Sequence, residues 1–498
     1  MADQDMKPVP ASQASSGTSS SNLKEDQRLQ DLGYPQQMVR GFSILSNFGI
    51  SFSIISVLTG VTGGFNLGAV NGGPVVQVWG WITVVLFSMT VVVSLAEICS
   101  SYPTAGSLYY WAAQLAGPGN SALASWVTAW FNLLGQIALT SVIAYTMANQ
   151  IASMVLLGTG GALAGGHVVT NAQLLGIYAA ILTCQALLNL FGARVLHAFQ
   201  LFSVVWQSLG VVVLIILLPT AAPKIQSASY VFGTFSYDPA NLPSDTYIFL
   251  IGLLYTQFTI NGYDASGHIS EETKKSQRAA PLGMISSVAS SAVLGWIYTL
   301  SLLFSTQNPE DLFDGEAGGY VSSQIIFDIF KGRGNSTAVP VVIIGIPATA
   351  MFLTGVSSIT ANSRVLFAFA RLYITYGLVI FFKLALAGRR FKPGPIYTGH
   401  TISLIINVIG VLYVLFITAV FIMPTAFPVD STTLNWAPVA VGIVLVWSFG
   451  YWYLPFIGAR HWFKGPPVAS EVAQYERFLV QGANANANAN TKTNSAVA

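Results

Sequence analysis

The chain has 498 residues, of which 53% are hydrophobic and 8% charged, with a net charge of +2. A soluble domain carries about 25% charged residues, so this chain has too little charge to cover a water-facing surface. The near-zero net charge also excludes an electrostatic grip on nucleic acid.

The first 40 residues, rich in Ser, Gln and Pro, have nothing to bury and read as a disordered cytosolic tail. They hold no early apolar run of the kind that marks a cleaved leader. Segment one, about 42–69, is dense in small and hydroxyl residues: Ser51, Ser53, Ser56, Thr59, Gly60, Thr62, Gly63 and Gly64. Small residues let helices pack closely. The sharper expectation is a helix broken near Leu58–Gly63, whose freed amides bind an anionic group. Segment two, about 74–97, ends with Glu97 near the membrane edge and runs into Tyr109, Tyr110 and Trp111, which suit interfacial anchoring. Segment three, about 121–151, carries Asn132 and Gln136 on one face. Segment four, about 171–191, repeats that i,i+4 spacing with Gln185 and Asn189. Segment five covers about 198–219.

The stretch 246–273 organises the rest. It begins as an apolar helix, meets Asn261-Gly262-Tyr263-Asp264, and ends in a charged turn. A membrane helix with a polar, Gly-bearing middle exposes backbone groups that lipid cannot satisfy, so they must face protein, water or a ligand. Segment seven, about 281–304, is followed by an acidic loop with Glu310, Asp311, Asp314 and Glu316, and by an Asn335-Ser336-Thr337 glycosylation sequon. Segment eight, about 338–361, contains Thr354, Ser357 and Ser358. A short run at 372–388 holds Lys383 and leads into Arg389, Arg390 and Lys392. Segments at about 401–423 and 437–458 complete the chain, and 467–498 reads as a second disordered cytosolic tail. With the N-terminus inside, basic residues favour the inner flanks. Full crossing by 372–388 breaks that rule, which leaves ten spans or eleven. Cys99 and Cys184 form no cluster, and the five histidines lack metal-ligand spacing, so no metal, cofactor or catalytic residue is expected.

Several blocks together carry a family resemblance: Leu45–Thr62, Ala96–Trp111, Ala124–Gln136, Tyr255–Thr273, Ser357–Arg364, Phe391–Pro395 and Ala459–Pro466. The chain resembles the amino acid–polyamine–organocation transporters, and within them the branch of fungal GABA and choline permeases and plant bidirectional amino acid transporters. The resemblance covers residues 30 to 466. It implies an all-α polytopic membrane protein with a five-plus-five inverted-repeat fold and discontinuous helices one and six. The permease domain is then 41–466, with a first repeat at about 42–219 and a second at about 246–388. It further implies alternating-access transport of amino acids or related amines, without enzymatic chemistry, in the plasma membrane or an endomembrane such as the vacuole's, with a proton as candidate coupling ion. The substrate carboxylate is expected at Ser56, Thr59, Gly60, Val61 and Thr62. Its amine is expected at Phe258, Thr259, Asn261 and Gly262, with Tyr263 and Asp264 beside them and Asn132, Gln136, Thr354 and Ser357 lining the path. Asp264 has an alternative role in the inner gate.

The family usually has an insert after the Asn-Ser-Arg block, holding helix nine and part of helix ten. Here Arg364 is followed almost at once by Leu372. The second repeat is therefore expected to be truncated, and a non-transporting splice or gene-model variant is the alternative reading. A channel is disfavoured, since no repeated filter sequence is present.

Overall fold

The computed structural model describes residues 43–104, 106–117, 119–191, 193–237, 243–331, 337–369, 376–387, 391–424, 429, 434–463 and 465. Both expected tails, the first two residues of the sequon, residues 370–375, Arg389 and Arg390 lie outside them.

Among the described residues, eight helical stretches are long and apolar enough to cross a bilayer. The first is interrupted: α1 (Ile44–Ile55) and α2 (Val57–Val70) meet at Ser56. A two-residue hairpin pairs β1 (Asn71–Gly72) with β2 (Ser236–Tyr237). The second crossing ends in α3 (Trp81–Ser101), and the buried helix α4 (Ser107–Ala116) leads to α5 (Ser121–Gly158). Next come α6 (Asn171–Asn189), α7 (Ala193–Ala221) and the short α8 (Ala228–Gly233). A second interrupted pair follows, α9 (Asp245–Thr259) and α10 (Ala265–His268). The chain continues through α11 (Ser276–Phe304), α12 (Val321–Lys331), α13 (Ala338–Phe369) and α14 (Tyr376–Phe382), the last extended by a wide turn to Ala387. The final elements are α15 (His400–Ile422), α16 (Ala437–Tyr453) and α17 (Ala459–Trp462).

Burial runs opposite to a soluble protein. Asn47, Ser51, Ser53, Gln185 and Gln207 are buried, while Leu175, Leu187, Ile216, Leu412 and Val446 face outward. Such a surface is stable only against lipid, and the chain is an integral multi-pass membrane protein. Polar side chains inside serve as fasteners. Gln185 and Asn189 on α6 donate to the carbonyls of Phe352 and Val356 on α13. Close packing between α3 and α11 depends on Gly295, where a Cβ would lie 2.2 Å from the Trp81 ring. The same indole donates to the Ala292 carbonyl at 2.9 Å.

One expectation is corrected. Tyr109, Tyr110 and Trp111 are core residues, not interfacial anchors, with exposures of 5%, 0% and 0%. α4 tucks under the bundle, and its indole donates to the Tyr102 carbonyl. Glu97, in the last turns of α3, is buried: it pairs with Lys383 at 2.6 Å and accepts from the Thr398 amide at 2.9 Å and from Ser403 Oγ at 2.5 Å. Ser100 and Ser101 accept the Ile396 and Gly394 amides, and Lys383 lies 4.8 Å from the Phe391 ring. The described part of the helix at 376–387 has twelve residues, which rise about 18 Å against a core of about 30 Å. Lys383 and Ser403 both meet Glu97 and so lie on the face where α3 ends. This is the inner face in the orientation the basic residues predict. Among the described residues, eight stretches are long enough to cross, and the interrupted pair α9–α10 and the shorter apolar α16 stand beside them.

A buried ion pair punishes loss of one partner more than loss of both. Lys383→Met is expected to destabilise the protein by about 3–5 kcal/mol, and the double variant with Glu97→Gln to recover most of that. Thermal unfolding of the three variants in one detergent checks this, and equal losses in single and double variants would contradict it.

Candidate functional site

The two interruptions face each other at the centre of the bundle. At the first, Ser56 takes a left-handed conformation (φ 39°, ψ 84°), which costs a non-glycine residue about 1–3 kcal/mol. The hydroxyl offsets this by capping α2: Ser56 Oγ accepts the Thr59 amide at 3.3 Å and donates to Thr59 Oγ1 at 2.6 Å. The Gly60 amide goes to the Ser56 carbonyl at 2.8 Å. The break thus precedes the expected window Leu58–Gly63. Val61 and Thr62 lie in regular helix, and the donors preceding the first internal bond of α2 are the Val57 and Leu58 amides. The glycines of α2 serve packing instead. A Cβ on Gly60 would lie 2.5 Å from Thr259 Cγ2 and 2.8 Å from Thr259 Cα, and one on Gly64 would lie 3.1 Å from the Phe258 ring.

Breaking a helix also frees a carbonyl. The Ser53 oxygen, which in an unbroken helix would accept the Val57 amide, instead accepts Thr354 Oγ1 at 3.2 Å and Gln207 Nε2 at 3.0 Å. Thr354 Oγ1 also lies 3.1 Å from Thr59 Oγ1. Ser56, Thr59 and Thr354 therefore form one buried cluster, completed by Gln207. Sequence reasoning did not single out Gln207, although Gln200, Ser203 and Gln207 form a polar stripe on an apolar helix. Ser357 meets that stripe one turn away, donating to Gln200 Oε1 at 3.0 Å.

At the second interruption α9 stops at Thr259. Gly262 has φ +79°, and a Cβ there would lie 2.6 Å from Ile54 Cγ2. Its amide donates to Asn261 Oδ1 at 2.9 Å, so it does not continue the helix onto the Phe258 carbonyl. Tyr263 and Asp264 are buried, and Asp264 Oδ2 lies 3.0 Å from His268 Nε2. The inner halves of the two broken spans are stapled by side chains. Ser51 Oγ lies 2.6 Å from Ser266 Oγ, and Asn47 Nδ2 donates to the Ser266 carbonyl and to Thr273 Oγ1. Asn132 and Gln136 join another group: Gln136 donates to Asn132 Oδ1 at 3.4 Å, and the Gln136 carbonyl accepts Asn362 Nδ2 at 3.2 Å.

Above the first broken span, α12 forms a lid on the outer face. Ser322 donates to the Thr62 carbonyl, and Asn66 exchanges bonds with Gly319 and Val321. Within α12, burial pushes the Asp328 carboxyl up to about 6. One oxygen accepts Gln324 Nε2 at 2.7 Å, while the other has no hydrogen-bond partner among the described residues.

Two interrupted spans packed against each other, as Gly60 against Thr259 and Gly262 against Ile54 show, are the architecture of a membrane carrier. The amino acid permease description matches residues 42–373. The chain is 38% identical to the amino-acid permease BAT1 of Arabidopsis thaliana, covering 88% of this chain and 95% of that protein. It is 28% identical to the GABA-specific permease of Saccharomyces cerevisiae, covering 84% and 81%. The chain belongs to the amino acid permease family. Among solved structures, a nucleobase-cation-symport-1 family transporter, MHP1, aligns at 15% identity with a TM-score of 0.38, covering 84% of this chain and 81% of that one.

Two outcomes are expected. Gln207→Leu combined with Thr354→Val leaves the Ser53 carbonyl unsatisfied, and should lower stability by about 1–3 kcal/mol in thermal unfolding. Asp328 supplies a pH test. Its folded pKa lies above its usual value, so its contribution is full below about 4 and is lost as pH rises through about 6. Asp328→Asn should therefore unfold at a higher temperature than wild type at pH 7.5, with the difference vanishing at pH 4. A difference independent of pH would contradict this.

Proposed function

We propose that this permease carries zwitterionic amino acids or related amines, of the GABA and choline class, across the plasma membrane by alternating access. The observation that carries the reading is the opposition of the two breaks at Ser56 and at 260–264. An α-helix N-terminus bears partial positive charge, and the end of a helix bears partial negative charge. The start of α2 suits a carboxylate and the end of α9 suits an ammonium group, so a zwitterion is held by both. In this assignment Ser56, Thr59 and Gly60, with the Val57 and Leu58 amides, form the carboxylate end. The Phe258, Thr259 and Asn261 carbonyls, with Gly262 giving the turn, form the amine end, and Thr354 lines the site. The protein works as a transporter and not as an enzyme. A proton is the coupling ion in this reading.

The second reading is a transport-incompetent variant with a truncated repeat. Two observations support it. The family match ends at residue 373, in the region of the expected insert. The alignment to BAT1 spans 496 positions while using 88% of this chain, so several dozen positions of that relative have no counterpart here. Sequencing the transcript across codons 360–375 decides whether the short junction is real.

Uptake of radiolabelled GABA, choline, glutamate, arginine and polyamines by purified protein in liposomes tests transport directly. Saturable uptake of at least one is expected. Gly60→Val, whose side chain collides with Thr259, should reduce uptake more than tenfold while membrane insertion is kept. Normal uptake kinetics in that variant would remove the α2–α9 contact from the site, and no saturable flux with any compound would favour the incompetent variant.

A further inference from the structure

A cavity of about 360 Å³ lies away from the two breaks, on the outer face. Its walls come from the end of α2, the chain entering the second span, the segment between α8 and β2, and residues 303–313. Three aromatic rings line it: Phe65, Tyr230 and Phe313. Its polar lining is formed by Gln77, Thr306 and Glu310 among others. Among the described residues, Glu310 is the only carboxylate in the wall, and no Lys, Arg or His contributes to it. Burial pushes the Tyr230 phenol up, so that group stays neutral at ordinary pH. Gln77 is fully buried, its Nε2 is committed to the Phe65 carbonyl at 3.0 Å, and its Oε1 has no partner among the described residues. The wall thus holds three aromatic rings and several acceptors, carries one negative charge, and offers no cationic side chain to neutralise a bound anion.

That chemistry suits one class of ligand. Aromatic faces attract a cation through the ring quadrupole, and they do so best when the cation sheds little hydration, as an alkylammonium does. A carboxylate at the mouth adds charge attraction and selects against neutral molecules of the same shape. We propose that this pocket is a second binding site, separate from the central one, for a small organic cation of the alkylammonium type. An occupant would touch the outer half of the first broken span and residues 309–313 at once. It would therefore favour the closed arrangement of the outer face seen here. Binding does not depend on the transport reading, although this consequence does.

Tetramethylammonium, with tert-butanol as an uncharged molecule of similar shape, is the probe for full-length protein in nanodiscs. Thermal stabilisation is followed against probe concentration. Saturable stabilisation by tetramethylammonium is expected, with little or none from tert-butanol. Glu310→Gln, at an exposed position whose replacement leaves the core intact, should weaken the apparent affinity roughly tenfold. Phe313→Leu, which keeps bulk and removes a ring, should weaken it several-fold. Thr354→Val, at the central site, should leave the affinity unchanged. The proposal is overturned by absence of saturable stabilisation, by equal response to tert-butanol, or by an affinity that follows Thr354→Val and ignores both pocket variants. A failure of transport in liposomes with the cation response intact would count against the central-site reading and leave this one standing.

Discussion

The structure depends on one constraint: a backbone group released inside a bilayer must find a partner within the protein. Water is absent there, and an unpaired carbonyl or amide costs several kcal/mol. Interrupting a span at Ser56 releases groups on both sides of the break. The protein answers with side chains from two other helices. Thr354 and Gln207 take the Ser53 carbonyl, and Ser56 itself takes the Thr59 amide. The polar residues that look misplaced in apolar helices α7 and α13 are there because the first span is broken. The second break is handled more locally, with Asn261 holding the Gly262 amide.

The same constraint shapes the inner face. A lysine in a short apolar helix and a glutamate at the end of α3 would each be costly alone. Paired, and with Ser403 and Thr398 filling the remaining lone pairs of the carboxylate, they are tolerated. Ser100 extends the connection, because its hydroxyl accepts the Ile396 amide and donates to the Gln277 carbonyl at the start of α11. Through Ser100 the turn at 394–398 is tied to the start of α11. The AEICSSY stretch therefore serves as a socket for a distant turn.

Much of the architecture was legible in sequence because transmembrane length and apolarity are local properties. The second break was legible too, because Asn-Gly inside an apolar run favours a turn over continued helix. The first was placed late, since Gly60, Gly63 and Gly64 suggested a loosened helix. In the structure these glycines remain helical and admit Thr259, Thr146 and Phe258 at close range. A glycine needed for backbone freedom and one needed for proximity read alike in one dimension. Tyr109 to Trp111 were misread for a related reason. Amphipathic rings suit an interface or a core equally, and only the tucking of α4 decides between them. Lys383 and Glu97 stand 286 residues apart, and no local pattern pairs them. The full set of candidate site residues divides in the structure: Ser56, Thr59 and Thr354 converge, while Asn132 and Gln136 belong with Asn362.

The two halves of the centre are sealed by different physics. On the inner side α1 and α10 are joined by Ser51, Asn47, Ser266 and Thr273 through hydroxyl and amide hydrogen bonds, each of which water can replace at small net cost. On the outer side α2 and α9 meet through glycine contacts and the rings of Tyr255 and Phe65. Water cannot substitute for close packing of that kind, and separating such surfaces exposes apolar area at a cost that grows with it. The outer half of the first span is further held by the lid helix through Thr62 and Asn66. In the arrangement described, then, the inner seal is exchangeable and the outer seal is a packed core.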